Sequence, residues 1–289
     1  MKNKKALDWL RVLIFTFLAN FFFIVLMKLC PDNIYRNSLF TMCTPMAAHI
    51  LTRVITREKA TVKELLLPAN LRGNIKYYLL SVGIPCLIFI ISTIFLIIFF
   101  VDDYDIKDCL IYGNVDEFIL GMLINISTSF FMFYICIGEE YGWRAYLTPK
   151  LKTLMPTPLA LIVSGIIWGM WHAPIIKTGF NFGTGYKFFP YAGYAGMCLM
   201  CIFMGAFLTW VTKKTNSIYP AAIAHTAIDT IQINAFFVPQ KVIEKAIAGG
   251  QYGYNYFMVF SSGTIIIGAV FFVMLCIDSK KKKSIPEQE

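Results

Sequence analysis

Long apolar runs are the feature that most constrains how this chain can fold. Residues 75–101 and 257–277 together contain a single charged side chain, and each run is long enough to cross a bilayer as a helix of about 20 residues. The whole chain is 57% apolar and 15% charged, whereas about 25% of the residues in a soluble domain are charged. The sequence therefore predicts an all-α fold, a polytopic bundle of membrane helices.

About eight transmembrane helices are predicted. They cover residues 9–29, 38–54, 75–101, 119–146, 157–174, 191–211, 217–237 and 257–277. If the N-terminus is cytoplasmic, the segments on that side hold 18 lysines and arginines and those on the other side hold six, so the positive-inside rule places both termini in the cytoplasm. The formal charge of +9 is explained by anionic lipid headgroups and needs no nucleic-acid partner. We expect an integral plasma membrane protein, and the lysine- and isoleucine-rich composition is typical of bacteria.

No soluble domain is predicted, so residues 1–289 form one membrane domain with a basic cytoplasmic tail at 278–289. The basic segment 55–74 is expected to lie along the interface as an amphipathic helix. Gly165 and Gly169 have the spacing that allows two helices to approach closely, which favours a tightly packed fifth span. The cysteines are interpreted as small apolar side chains, since nearly all of the eight lie in or beside the spans.

Three clusters of polar residues interrupt the apolar spans. A charged side chain at the centre of a membrane helix costs roughly 2.5–3.5 kcal/mol, so each cluster needs a partner, a cavity or a function. The clusters are residues 138–144, 168–172 and 225–229. Glu140 and Arg144 are one helical turn apart and are predicted to pair, as are His225 and Asp229. The adjacent glutamates cannot share a helix face, so Glu139 is free to face a different partner.

Water activation is the chemistry that these groups favour. A carboxylate in an apolar cavity can act as a general base on a water molecule. Alternatively, two histidines and a carboxylate from separate helices can hold a divalent metal ion, while Glu139 acts on the bound water. Both alternatives lead to hydrolysis. His49, in the second span near Arg53, is interpreted as a structural residue.

The order and spacing of the motifs identify a resemblance. EExxxR at Glu139–Arg144, an aromatic residue and histidine at Trp168 and His172, and HxxxD at His225–Asp229 resemble the CAAX protease and bacteriocin-processing (CPBP, or Abi) family of intramembrane proteases. The similar region is residues 120–237. The family implies an eight-helix core with a cavity open to the cytoplasm and the lipid. It implies peptide-bond cleavage there by these catalytic residues: Glu139, Glu140, Arg144, His172, His225 and Asp229.

The resemblance also implies roles for these residues. Glu139 and His172 would activate the water, Arg144 would support the glutamates, and His225 with Asp229 would bind a metal ion or stabilise the oxyanion. The aspartate is a good metal ligand but a poor oxyanion donor, which favours a metalloprotease. We therefore expect either one divalent ion, zinc first, or no cofactor. The predicted metal ligands are Glu139, His172, His225 and Asp229.

Two classes of function remain open. The first is an endopeptidase acting on a peptide or protein substrate at the membrane, and a bacterial chain favours a bacteriocin-like precursor over a prenylated protein. The second is a non-catalytic membrane protein, either an immunity or scaffold protein or a proton-coupled transporter.

Overall fold

The computed structural model describes residues 2–29, 38–231 and 233–284, and the regular structure in this part is helical. The last residues of the predicted tail, 285–289, lie outside the described part, and its beginning continues the last helix to Ser284. The helices are α1 (Lys2–Leu29), α2 (Ser38–Met42), α3 (Thr44–Ile55), α4 (Ile75–Phe99), α5 (Val115–Phe131), α6 (Tyr134–Gly142), α7 (Thr148–Leu154), α8 (Thr157–Trp171), α9 (Ala173–Ile176), α10 (Tyr191–Thr215), α11 (Tyr219–Thr230), α12 (Ile233–Phe237), α13 (Gln240–Ile247), α14 (Gly250–Phe260) and α15 (Ser262–Ser284).

Four helical stretches in the described residues are long and apolar enough to cross a membrane. They are Lys4–Leu29, Ile75–Phe99, Tyr191–Thr215 and Gly250–Lys281. A fifth forms if α5 and the helix Tyr134–Leu154, which bend by 51° at their junction, count as one broken span. These helices confirm the polytopic membrane bundle.

Three of the predicted spans contain shorter helices than expected. The helices α3, α8 and α11 have 12, 15 and 12 residues. At 1.5 Å per residue they rise only about 18–23 Å, less than the roughly 30 Å of a hydrocarbon core. By length and composition, the described residues contain four or five full spans, and these three short helices pack among them.

The helix that carries the two adjacent glutamates contains a π-helical turn at Trp143–Leu147, between α6 and α7. The N–H of Thr148 donates to the carbonyl of Trp143, five residues back. Pro149 follows immediately, and it has no N–H to continue the α-helical pattern. The sequence predicts one continuous span at 119–146. In the structure this span is broken: the chain bends by 51° after Phe131, and the second helix runs on to Leu154.

Residues 57–74 form turns and irregular segments, so the prediction of an amphipathic helix in this segment is wrong. Hydrogen bonds hold the segment against the start of α11 and the end of α10 instead. The carbonyl of Leu66 accepts a hydrogen bond from the N–H of Ile218, and the side-chain amide of Asn70 donates to the carbonyls of Thr215 and Asn216. These bonds satisfy carbonyl groups at the end of α10 that have no partner within the helix.

Close packing of α8 on α10 follows from the two glycines predicted to allow it. A Cβ atom on Gly165 would lie 2.4 Å from Cα of Ile202, and one on Gly169 would lie 2.5 Å from Cα of Cys198. Only a glycine surface permits two backbones to approach this closely. The prediction of a tightly packed fifth span is confirmed, and the contact fixes the helix that carries Trp168.

A cluster of charged side chains joins α1, α7 and the segment after α3. Glu58 accepts hydrogen bonds from Nζ of Lys150 at 2.5 Å and from the hydroxyl of Tyr146 at 3.0 Å. Asp8 accepts from Arg11 at 3.0 Å and from Lys150 at 3.2 Å. Burial raises the pKa of Glu58, but the hydrogen bonds and charges of its neighbours outweigh burial and hold the pKa below its ordinary value. The cluster anchors the glutamate-bearing helix against α1.

Candidate active site

The side chain of Glu139 is buried on α6 and is held by two tryptophans. Its Oε2 atom accepts hydrogen bonds from the indole of Trp168 at 2.7 Å and from the indole of Trp143 at 3.1 Å. Within the described residues, its Oε1 atom makes no hydrogen bond to the protein. One carboxylate oxygen is therefore fixed in position and the other is available to a water molecule or a substrate.

The neighbouring Glu140 has different partners, as the helical geometry predicts. Its Oε2 atom lies 3.0 Å from Nε of Arg144, and its Oε1 atom lies 2.8 Å from Nδ1 of His225. Both Glu140 and Arg144 are almost completely buried, so each charge depends on the other for its stability. The guanidinium of Arg144 also lies over the ring of Trp168, at 4.1 Å from its centroid. Glu140 thus links α6 to α11.

Trp168 stands between the two site histidines. The centroid of its ring lies 5.4 Å from that of His225 and 6.3 Å from that of His172. Nδ1 of His172 lies 3.0 Å from the carbonyl oxygen of Trp168. A carbonyl oxygen can only accept, so Nδ1 carries the proton and Nε2 of His172 presents a lone pair. Trp168 thus contacts both histidines and also donates a hydrogen bond to Glu139.

His225 and Asp229 on α11 face each other one helical turn apart, as predicted. Nε2 of His225 lies 3.7 Å from Oδ2 of Asp229. The sulfur of Cys136, three residues before Glu139, lies 3.6 Å from the same Oδ2 atom. Among the described residues, Cys136, His225 and Asp229 form a set whose possible ligand atoms all lie within 4.8 Å of one another. The predicted ligands Glu139 and His172 are outside this set.

A cavity of about 480 Å³ brings the predicted residues together. Its wall includes Glu139, Trp168, His172, His225 and Asp229, and the other lining side chains are mostly apolar, with several methionines from α1, α2 and α10. Flexible methionines adapt to irregular apolar surfaces. Glu140 and Arg144 do not line this cavity and instead support its wall from behind.

Two residues at the site were not singled out from the sequence. Trp143 is one turn after Glu139, and this spacing could have indicated the hydrogen bond from its indole to the glutamate. Cys136 was interpreted as apolar packing, and nothing in the sequence distinguishes it from the other cysteines. His49 lies away from the cavity, with its ring between Arg53 and the carbonyl of Tyr141, which agrees with a structural interpretation.

Comparison with known proteins agrees with the class that this geometry defines. Residues 121–231 match a family model described as type II CAAX prenyl endopeptidase, Rce1-like. The matched segment contains all six predicted catalytic positions. The predicted resemblance to CAAX-type membrane proteases is confirmed over this part of the chain.

A curated relative extends the match. CAAX prenyl protease 2 of Methanococcus maripaludis is 30% identical over 144 residues, which cover 47% of this chain and 52% of that protein. The chain thus spans about half the length of the relative that it matches.

Proposed function

We propose that this protein is an intramembrane endopeptidase in which Glu139 activates a water molecule for attack on a peptide bond. The proposal rests on the different surroundings of the two carboxylate oxygens of Glu139. Two indoles donate to Oε2, while Oε1 has no protein partner in the described residues. A buried carboxylate with a purely structural role has its oxygens satisfied. A free oxygen on the wall of a cavity is what a general base requires.

The reaction follows from these positions. Glu139 removes a proton from the water as the water attacks the carbonyl carbon, and then gives this proton to the leaving amine. The lone pair on Nε2 of His172 accepts a hydrogen bond from the second O–H group of the water, which orients the attack. Both side chains line the same cavity, and the two indoles keep the glutamate from turning away. Such a base contributes about 10²–10⁴-fold to the rate.

The negative charge that develops on the carbonyl oxygen needs a positive partner. His225 donates its Nδ1–H to Glu140, which leaves Nε2 and the carboxylate of Asp229 facing each other at the cavity wall. A positive charge placed between them, from a proton or a divalent ion, would stabilise the oxyanion. A nitrogen, an oxygen and a sulfur ligand from His225, Asp229 and Cys136 fit one such ion, which would act as a Lewis acid when bound.

The substrate is expected to be an apolar or lipid-anchored peptide. The cavity wall is mostly apolar, and the relative in Methanococcus maripaludis is named for prenyl substrates. The two candidate substrates are a prenylated C-terminal peptide and an apolar peptide precursor, and they place different demands on the cavity. Saturating or shortening the lipid chain of the substrate would weaken cleavage if the protein recognises a prenylated C-terminal peptide. It would leave cleavage unaffected if the protein recognises an apolar peptide precursor.

Cleavage by purified protein in liposomes tests the proposal. We expect the wild-type protein to cleave a membrane-anchored peptide, and Glu139→Gln and His172→Gln to reduce the rate by at least about 100-fold, as expected for loss of a general base or its partner. Glu117→Gln is the matched control, because Glu117 is exposed at the start of α5. Cleavage by Glu139→Gln at the wild-type rate would refute the proposal. A scaffold or transporter would keep its cellular phenotype in that variant.

A further inference from the structure

A second, smaller pocket lies between α7 and the last turns of α10, and it shares no lining residue with the catalytic cavity. Its volume is about 140 Å³, which is room for about four water molecules and therefore for the four oxygen atoms of a phosphate group. None of its described lining residues is acidic. Its basic and hydroxyl-bearing residues are Arg144, Thr148, Lys152, Thr209, Thr212 and Lys213.

Lys152 is the half-buried lysine of this pocket. Its ammonium group makes no hydrogen bond or ion pair with the described residues, and the charged side chain that acts on it is Lys213, which has the same sign. Lys150, two residues earlier, is instead paired with Asp8 and Glu58. A half-buried charge without a counter-charge is unfavourable, so Lys152 is expected to attract an anion into the pocket.

Arg144 and Thr209 provide further hydrogen-bond donors at the buried end of the pocket. Nη2 of Arg144 is buried and has no hydrogen-bond partner in the described part of the chain, and a Cβ atom on Gly205 would lie 3.5 Å from it. The hydroxyl of Thr209 makes no hydrogen bond to a described residue, whereas that of Thr212 donates to the carbonyl of Leu208 at 2.8 Å. Buried donors without a protein acceptor indicate that an ion or a water molecule supplies one.

The outer end of the pocket opens at the surface where α10 ends. Lys213 is paired with Asp278 at 2.9 Å, but both side chains are exposed, and such a pair contributes little to stability. An anion can therefore share Lys213. The carbonyl groups at a helix C-terminus oppose an anion, but here the side-chain amide of Asn70 donates to the carbonyls of Thr215 and Asn216 and reduces this effect.

We propose that this pocket binds one phosphate group. Lys152 and Lys213 supply positive charge, and Thr209 and Arg144 supply donors at the buried end. A phosphate group accepts several hydrogen bonds at once, and lysine is a common phosphate-binding residue. The group can belong to an anionic lipid or to free phosphate, because α10 is long enough to span the bilayer and its end then lies near the lipid headgroups. The site does not depend on the proposed peptidase activity.

Diffuse attraction between lysines and anionic lipids is the simpler explanation of a basic surface. Diffuse attraction depends on the total charge, so Lys214, which is exposed and adjacent to Lys213, would contribute as much as Lys152. A defined site depends on Lys152, because Lys152 lines the pocket and Lys214 does not. The two lysines therefore distinguish the explanations.

Native mass spectrometry can count the lipids bound to the full-length protein in a neutral detergent. Phosphatidic acid, phosphatidylglycerol and phosphatidylcholine are offered at equal concentrations, and we expect one anionic lipid to be retained. Lys152→Gln and Thr209→Val should each weaken binding by about tenfold or more, as expected for loss of a hydrogen bond to a charged group. Lys152→Arg, which keeps the charge, and the matched control Lys214→Gln should retain the lipid.

Inorganic phosphate distinguishes the two sources of the phosphate group. Saturable binding of phosphate to the delipidated protein, measured by ³¹P NMR and weakened by Lys152→Gln, would identify free phosphate as a ligand. Retention of an anionic lipid that excess phosphate does not displace would identify a headgroup, and either result supports the site. If neither probe binds with saturation, or if Lys152→Gln and Lys214→Gln weaken binding equally, the site is overturned. Neither assay measures cleavage, so the peptidase proposal is tested separately.

Discussion

Substitution of Gly165 by alanine tests how the packing of α8 on α10 supports the active site. The new Cβ atom would lie 2.4 Å from Cα and 2.7 Å from the backbone nitrogen of Ile202. Ordinary contacts between carbon atoms are about 3.5–4.0 Å, so the two helices must separate locally by about 1 Å. Backbone atoms cannot rotate away as a side chain can. We expect the overpacking to lower the free energy of unfolding by about 1–3 kcal/mol.

The same displacement should reach Glu139. Trp168 is three residues after Gly165 on α8 and donates to Glu139 at 2.7 Å. A shift of about 1 Å stretches this bond beyond the range of about 2.7–3.2 Å. Loss of a hydrogen bond to a charged group is worth about 1.5–3 kcal/mol, which corresponds to about a tenfold or greater fall in the cleavage rate.

Thermal unfolding in detergent and cleavage in liposomes measure the two effects. Gly83→Ala is the matched control, because a Cβ atom on Gly83 would meet no atom within 4 Å. Gly83 lies inside α4, where alanine is favoured over glycine by up to about 1 kcal/mol, so the control should be neutral or slightly stabilising. A melting temperature and a cleavage rate for Gly165→Ala equal to those of the control would refute the packing argument.

Three further predictions concern buried charges and hydrogen bonds. Arg144→Ala removes the guanidinium that neutralises the buried Glu140 and leaves His225 as its remaining partner, so we expect a loss of about 3–5 kcal/mol in detergent unfolding, and an unchanged stability would contradict the buried ion pair. Trp168→Phe removes one of the two hydrogen bonds that fix Glu139 but keeps an aromatic ring at this position, so the cleavage rate should fall about tenfold or more. Trp9→Phe, at an exposed site on α1, is the control and should leave the cleavage rate unchanged. Glu58 has a lowered pKa in the folded protein, so its stabilisation is complete above the ordinary value of about 4.3 and is lost as the pH falls through the lowered value. Melting temperatures between about pH 5 and about pH 3 should therefore fall less steeply for Glu58→Gln than for the wild type, and equal slopes would exclude this role.

The periodicity of the sequence predicted the local pairs well. Glu140 and Arg144 are four residues apart on one helix, and their contact depends only on helical geometry. The same is true of His225 and Asp229, and the GxxxG spacing indicated a close approach of helices before the partner helix was known. These features could be predicted because the helix itself fixes their distances.

Contacts between distant helices could not be predicted in the same way. The bond between Glu140 and His225 joins residues that are 85 positions apart, and the approach of Cys136 to Asp229 joins residues that are 93 positions apart. No local pattern sets such distances. The apolar runs that contain α3, α8 and α11 are longer than these helices, because apolar composition continues past the residues where the helices begin or end. The turns after α3 replaced a predicted helix, and their contacts are with distant residues: the carbonyl of Leu66 with Ile218 and the side-chain amide of Asn70 with the end of α10.

Single-turnover cleavage in water enriched in ¹⁸O tests the central claim most directly. A lipid-anchored peptide is incubated in liposomes with the wild-type protein or with Glu139→Gln, and mass spectrometry identifies the new carboxyl terminus. We predict one ¹⁸O atom in that terminus for the wild-type protein and a rate at least about 100-fold lower for the variant. Equal rates of ¹⁸O incorporation in both proteins would contradict the role of Glu139 as the base that activates water.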